Sequence, residues 1–485
     1  VWTSCSPDFG ASAVVDRFGQ ACPKVLFCAN GYRYNGKRID CWPTIETVLG
    51  QVNSIESAVW FEFLDADFGG ARREPLRHWS EFCRPGAPLE FTPVAFDDPL
   101  FILYSSGTTG PPKCIVHGVG GALLQHLKEH QLHTDIGEHD RLFYFTTCGW
   151  MMWNWLASGL ASGATLLLYD GSPMADDGRV LWEIAEQERL TVFGTSPGYL
   201  SALQKSGLRP GRDFDLSSLR CLLSTGAPLG PATFDYVYES VAKDIQLASI
   251  SGGTDLLGCF ARGNPILPVR RGELQCLGLG MAVEIFNDAG EPVQGEVGNL
   301  VCTRPFPSMP LGFWNDPDDR KYRAAYFERF PGVWAHGDMA EITRSGGMRI
   351  LGRADAVLNP GGVRIGTAEI YRQVEKLPEV LESVAVGQRW GDDVRVLLFV
   401  VLREGLELDD ALDTRIRQTI RQNCSPRHVP ARIFAIPETP KTRSGKLVEL
   451  AVRDTVNGEP AKNRDALANP EVLDYIADLE GLHDS

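Results

Sequence analysis

The sequence predicts an α/β protein. A large domain of mostly parallel sheets covered by helices, with a small β subdomain, is followed by a small α+β C-terminal domain. Three observations predict it. Short apolar runs alternate with amphipathic stretches from about residue 99 to residue 250. The texture changes to short strands and turns from about 272 to 343. It changes again after "ILGRADAVLNPGG", and a chain of 485 residues is too long for one ordinary core.

The elements follow in order. "LFILYSS" reads as a strand, followed by a helix near Gly121–Leu132 and the strand "LFYFTT". A helix around Met152–Leu160 leads to "TLLLYD", and a helix at Val180–Arg189 to "TVFGTSP". A helix near Pro197–Lys205 precedes "LRCLLSTGAP", and a helix at Ala232–Lys243 precedes "IQLASISGG". This alternation of strands and helices argues a mostly parallel sheet covered by helices on both faces. Ligands of such sheets sit at the carboxyl ends of strands. Ser105–Gly110, Thr225–Pro228 and Ser251–Thr254 fall there. "MAVEIFNDAGEPV" and "GNLVCTR" give the β subdomain. A helix near Ala368–Glu375, then "SVAVGQRW", "RVLLFVVL" and a helix near Asp409–Asn423, give the last domain. The expected boundaries are 1–354, 355–455 and a polar tail over 456–485.

Bulk properties exclude several classes. The net charge is −15 with no basic tract, so a general nucleic-acid binder is disfavoured. Twelve cysteines without a CxxC pair read as reduced thiols of a cytoplasmic protein. Leu142–Tyr169 lacks charged residues and is long enough to span a bilayer, but Thr146, Thr147, Asn154, Ser158 and Ser162 interrupt it. It reads as two buried strands flanking a helix, with no membrane span. The chain starts at Val1 without an initiator methionine, which suggests a processed product or part of something longer.

The stretch richest in chemistry is "YSSGTTGPPK", Tyr104–Lys113. Ser105, Ser106, Thr108 and Thr109 offer hydroxyls, Gly107 and Gly110 let backbone amides approach an oxyanion, and Lys113 adds a cation. It is not the GxxxxGK[ST] loop, and on composition alone a plain strand-to-helix turn explains it equally well. His126, His130 and His133 have helical spacing, with His139 beyond, which raises a zinc site. "LLQHLKEHQLH" also reads as an amphipathic helix, and that reading is preferred.

The ordered strings decide the loop. "YSSGTTGPPK", "STGAP" (Ser224–Pro228), "GGTD" (Gly252–Asp255), "HGD" (His336–Asp338), "GRADAVLNPGGVRIGTAEI" (Gly352–Ile370) and "PKTRSGK" (Pro440–Lys446) resemble, in order, the motifs of the adenylate-forming enzymes. That superfamily includes acyl-CoA synthetases, luciferases and peptide-synthetase adenylation domains. The resemblance implies ATP, Mg²⁺ and coenzyme A as cofactors or substrates. It implies that Ser105, Ser106, Gly107, Thr108, Thr109, Gly110 and Lys113 hold the departing phosphates. Gly226, Ala227 and Pro228 would line adenine, Asp338 and Arg353 would meet the ribose, and Arg364 would lie near the nucleotide phosphate. Thr254 would lie by the α-phosphate, and Asp255 would bind the metal where most relatives have Glu. Lys446 would serve adenylation, and Asp355 would be the hinge about which a mobile C-terminal domain swings. Gly362, Arg421, Arg33 and Lys37 would face coenzyme A, though solvated surface charge explains the last three equally well.

Among subfamilies, "HGVGGALLQHL", "SISGGTD" and "LASGATLLLYDGSP" most resemble the acetoacetyl-CoA synthetases. This implies an AMP-forming acid–thiol ligase for acetoacetate. Alternatives are a ligase for propionate, butyrate or acetate, or a truncated, non-catalytic relative, because members of the subfamily normally continue upstream of "SCSPDFG". Trp150, Met151, Met152, Thr225 and Gly252 are expected to line the acyl pocket. Gly252 aligns with a Trp in acetyl-CoA synthetases, so it would leave room for the longer acid. The competing reading is a glycine required for its backbone φ.

Overall fold

The computed structural model describes residues 1–65, 76–83, 85–105, 112–354, 358, 367–390, 393–423, 428–442, 445–461, 464 and 467–483. At its centre is a five-stranded, all-parallel sheet. Its order is Gln246–Ser249, Cys221–Ser224, Val192–Thr195, Arg141–Tyr144 and Thr165–Leu167. Successive side chains alternate between the two faces of a strand, and both faces here are covered. Phe143, Phe193, Leu222 and Leu247 pack against Leu181, Trp182, Leu200 and Phe234 on one side. Leu142, Tyr144, Val192 and Leu223 pack against Met152, Trp155 and Leu156 on the other. Trp182 stacks on Phe193 with ring centroids 4.7 Å apart. The uncharged stretch from Leu142 forms two strands with the helix Met151–Ser158 between them. Among the described residues no helix is long and apolar enough to cross a membrane.

Smaller sheets surround this layer. Pro99–Ser105 pairs antiparallel with Lys113–Gly118, and Ser105 and Lys113 are register partners. An antiparallel five-stranded sheet forms the β subdomain, from Val283–Phe286 to Met348–Arg353. Ser251–Gly253 turns back on Gly258–Arg262 as a short hairpin.

The C-terminal part is a three-stranded sheet of Val380–Trp390, Asp393–Leu402 and Arg432–Ala435. The helices Thr367–Val374, Asp410–Asn423 and Glu449–Val456 accompany it. The segment expected as a polar tail differs from that expectation. Glu471–Ala477 is a helix, and Val472, Leu473, Ile476 and Leu482 join Val384, Leu397 and Phe399 in the core of this domain. Spaced single apolar residues in a polar stretch hide a one-faced helix from a reading by composition.

The helix near residue 121 also departs from a simple pattern. Val119–Leu127 continues as a π-helical turn over Lys128–His133. Its polar side chains Gln125, His126, Glu129, His130 and His133 are buried, while Leu123, Leu124 and Leu132 are exposed. This is the reverse of the usual amphipathic arrangement.

Candidate active site

A cavity of about 620 Å³ opens where the central sheet, the hairpin, the β subdomain and the C-terminal domain meet. Its size suits a small-molecule site. Strand pairing builds one corner. Asp338 on Trp334–Ile342 lies directly across from Arg353 on Met348–Arg353. Arg353 Nη1 donates to Asp338 Oδ1 at 3.1 Å and to the His336 carbonyl at 3.4 Å. Gly337 between them has φ +83°, and a Cβ there would lie 2.8 Å from the Arg353 guanidinium. The positive φ favours glycine here, and a side chain would also push the guanidinium away from Asp338.

Asp255 forms the second corner, in the tight turn Thr254–Leu256 that follows the hairpin strand. Tyr326 Oη donates to Asp255 Oδ1, and the Tyr326 ring stacks on Trp334 at 3.7 Å. Burial pushes the Asp255 carboxyl up, but Lys113, His336, the Tyr326 hydroxyl and Arg353 outweigh it and hold it below its ordinary range. His117 Nε2 donates to the Thr254 carbonyl at 2.8 Å and fixes that peptide. Lys113 Nζ lies 5.2 Å from the Tyr326 ring centroid and 5.7 Å from that of Phe313.

The C-terminal domain supplies the roof. A turn closed by Thr442 N–H to Lys446 O at 2.8 Å, and by Lys446 N–H to Thr442 Oγ1 at 3.0 Å, aims Lys446 into the cavity. The surrounding protein lowers the Lys446 pKa, while Asp255 and Asp338 oppose that shift. The side chain keeps accessible surface because the cavity it enters is open.

Most of the residues expected from sequence converge here. Ser105, Lys113, Gly226, Ala227, Pro228, Thr254, Asp255, Asp338, Arg353 and Lys446 line the cavity. So do Trp150, Met151, Met152, Thr225 and Gly252. Ser106, Gly107, Thr108, Thr109, Gly110, Asp355, Gly362 and Arg364 lie outside the described residues. Arg33, Lys37 and Arg421 are not in the cavity wall. Arg33 and Lys37 lie on the exposed hairpin Gly31–Tyr34 and Lys37–Asp40, with Arg33 3.6 Å from Asp65, and Arg421 is exposed on the last turn of its helix.

Gly252 is required for a reason that neither sequence reading named. A Cβ there would overlap the Gly258 carbonyl oxygen and lie 2.5 Å from Cys259 Cα. Its φ is not in the left-handed region, so close approach of the neighbouring strand selects glycine. The space read as vacant for a longer acid is, along that bond, the strand Gly258–Arg262.

The structure also adds residues to the site. Tyr326, His336 and Arg17 line the cavity. Arg17 lies between the rings of Phe9 and Tyr104, 4.8 and 5.8 Å from their centroids. His336 stands inside the quoted "HGD", whereas nothing in "RKYRAAYFERF" marks Tyr326, which reaches Asp255 only through the fold.

Comparison with known proteins gives the family. Residues 1–314 match the family model described as AMP-binding enzyme, and residues 372–446 match the AMP-binding enzyme C-terminal domain. An acetoacetyl-coenzyme A synthetase of Rhizobium meliloti is 58% identical over 487 residues, 99% of this chain and 74% of the relative. The acetoacetyl-CoA synthetase of Gallus gallus is 44% identical over 99% of this chain and 74% of its own length. Among solved structures, an acetoacetyl-CoA synthetase from Streptomyces lividans superposes with TM-score 0.92 at 44% identity, covering 98% of this chain and 73% of its own. An anthranilate CoA ligase in complex with anthranoyl-AMP shares the fold, with TM-score 0.77 at 22% identity over 93% of this chain and 82% of its own.

Proposed function

The chain belongs to the family of AMP-binding enzymes, in its acetoacetyl-CoA synthetase branch, and from that premise we propose that it converts acetoacetate, ATP and coenzyme A to acetoacetyl-CoA, AMP and pyrophosphate. The observation that carries the reading is the convergence of Lys446 from one domain with Asp255, Asp338 and Arg353 from the other on one cavity.

Two half-reactions follow. An acetoacetate carboxylate oxygen attacks the α-phosphorus of ATP, the bond to the β,γ-pyrophosphate breaks, and acetoacetyl-AMP remains. The coenzyme A sulfur then attacks the acyl carbon, its proton is lost, and AMP leaves. In the first step negative charge grows around the α-phosphate, and donors aimed there lower the barrier. Lys446 is assigned that task. Asp338 accepts from the ribose hydroxyls while Arg353 fixes its carboxylate. Ser105 and Lys113, across from each other at the loop ends, face the departing phosphates. Trp150, Met151, Met152 and Thr225 form the acyl wall, with Gly252 contributing backbone.

Mg²⁺ fits the acidic side. Among the described residues no group of three or more His, Cys, Asp or Glu is placed to hold a metal. A lone ionised carboxylate suits Mg²⁺, which keeps several waters and binds one or two carboxylates together with substrate phosphates. Asp255 would hold it, and the ion would neutralise phosphate charge. A cytoplasmic location is supported by the cysteines, since every described one is a free thiol.

The test is pyrophosphate release across acetoacetate, acetate, propionate and butyrate, with and without coenzyme A. Acetoacetate is expected to give the highest kcat/KM and a thioester product. Preference for another acid would overturn the substrate. No release with any acid, from folded protein, would overturn the activity.

A further inference from the structure

The inside-out helix over Val119–His133 is costly to bury. Its polar face must be matched by partners. His133 finds them outside the pocket, at the Gly263 carbonyl (2.8 Å) and Leu279 N–H (3.1 Å), whereas those of His126, Glu129 and His130 lie on elements that carry the acyl pocket. Glu129 is wholly buried and accepts from the Gln125 amide at 2.8 Å, Cys259 N–H at 2.8 Å and Trp155 Nε1 at 2.9 Å, and it pairs with the buried Arg262. His126 Nε2 donates to the Leu257 carbonyl at 2.9 Å. His130 Nε2 donates to the Trp155 carbonyl at 2.9 Å.

These partners belong to two walls of one pocket. Leu257 and Cys259 belong to the turn and strand behind Gly252, and Cys259 itself lines the cavity. Trp155 sits on the helix Met151–Ser158, whose first residues line the same cavity. The fit is close. A Cβ on Gly258 would overlap the Gln125 amide and lie 2.8 Å from Glu129 Oε1, and Gly258 in turn blocks any side chain at Gly252. A shift of Glu129 would therefore reach the pocket through the Gly258 and Gly252 backbone and through Trp155.

We propose that the buried clamp centred on Glu129 and Arg262 positions both walls of the acyl pocket and so determines which acid is accepted, independently of nucleotide binding. Glu129 is a positioning residue: it acts through Cys259 N–H and Trp155 and touches no substrate. The proposal rests on the ligase reading above and explains why the histidine-rich face points inward.

The test uses the full chain carrying Glu129→Gln, the double substitution Glu129→Gln/Arg262→Met, which also removes the buried cation, or His130→Gln, which replaces the imidazole that bonds the Trp155 carbonyl and Ser158 Oγ and packs on the Trp155 ring. Melting temperatures identify the folded variants. In these, the KM for the preferred acid is expected to rise about tenfold for the Glu129 variants and about threefold for His130→Gln, within the range one misfitted group costs. The ranking of the four acids should flatten, and the KM for ATP should stay within about twofold. Amide exchange over 251–262, followed by mass spectrometry, should quicken without any substrate present. An unchanged acid ranking and KM, a parallel loss for acid and ATP, or unchanged exchange at the hairpin would each overturn the clamp. If the unsubstituted chain prefers a different acid, the substrate assignment falls, while the shift in ranking still decides the clamp. If it uses none, the exchange measurement decides it.

Discussion

The large domain and the C-terminal domain build their halves of the site in different ways. On the large domain, Asp338 and Arg353 face each other because their strands pair, and Asp255 is held by Tyr326, whose ring is stacked on Trp334. Leu256 beside Asp255, Tyr326 and Trp334 all belong to one core. The C-terminal domain contributes Lys446 to the cavity wall, and in the proposed reaction its charge is useful only while that domain covers the cavity. Preorganised groups cost no rearrangement at the moment of reaction. A delivered group can be withdrawn between steps, which suits an enzyme that must release pyrophosphate and then admit a thiol.

The largest effect should come from the delivered half. Lys446→Ala is expected to slow adenylation about a thousandfold, the loss typical of removing one donor aimed at developing charge. Synthetic acetoacetyl-AMP should still react with coenzyme A at near the normal rate. Equal loss in both half-reactions of a folded variant would mean that Lys446 belongs to the fixed half. Asp338→Ala, in contrast, should weaken the grip on the nucleotide in both steps. A lost hydrogen bond to a charged group predicts roughly a tenfold rise in KM for ATP and weaker binding of AMP.

Gly252 sharpens the comparison, because it tests how rigid the fixed half is. Gly252→Trp should not convert the enzyme to acetate, since its Cβ is directed at the Gly258 carbonyl. It should instead cost about 1–3 kcal/mol of stability, the usual penalty of overpacking, read as a lower denaturation midpoint. A folded variant with a new preference for acetate would show that the hairpin can move aside.

Much of this was legible in the sequence, and the misses share a cause. Ser105, Lys113, Asp255, Asp338 and Lys446 sit in short ordered strings, and the fold brings each to the cavity. Strings do not show register. That Asp338 pairs with Arg353 follows from an antiparallel ladder, and that Tyr326 meets Asp255 follows from packing across distant segments. The inverted helix misleads for a related reason: periodicity gives a face but not its direction, and here the polar face found partners inside. Composition alone makes 456–485 a polar tail, whereas Val472, Leu473 and Ile476 place it in the core.

A smaller effect concerns how the delivered half is held. Lys205, on the large-domain helix Pro197–Ser206, donates to the Leu381 carbonyl of the C-terminal domain, and Arg403 Nη2 reaches the Lys205 carbonyl at 3.5 Å. Lys205→Met should lower the adenylation rate about threefold and leave thioester formation from acetoacetyl-AMP unchanged, as expected for a modest coupling of 0.5–2 kcal/mol. A matching loss in the second half-reaction would assign Lys205 to stability alone.

The smallest effect is a dependence on pH at the same contact. Glu375 accepts from Ser383 N–H at 3.1 Å and from Ser383 Oγ at 3.2 Å. Burial pushes its carboxyl up to about 7, against the opposing charge of Lys205. The folded state thus holds a proton that the unfolded chain releases near the ordinary value of 4.5. The sign follows from proton linkage: the stabilisation is complete below about 4.5 and is lost as the pH rises to about 7. Glu375→Gln mimics the protonated form, so its denaturation midpoint should vary less with pH across that window. In the Lys205→Met background the window should extend upward, because the cation that favours the carboxylate is gone. If the window stays in place without Lys205, the two domains do not communicate through this contact, and Glu375 responds to the C-terminal domain alone.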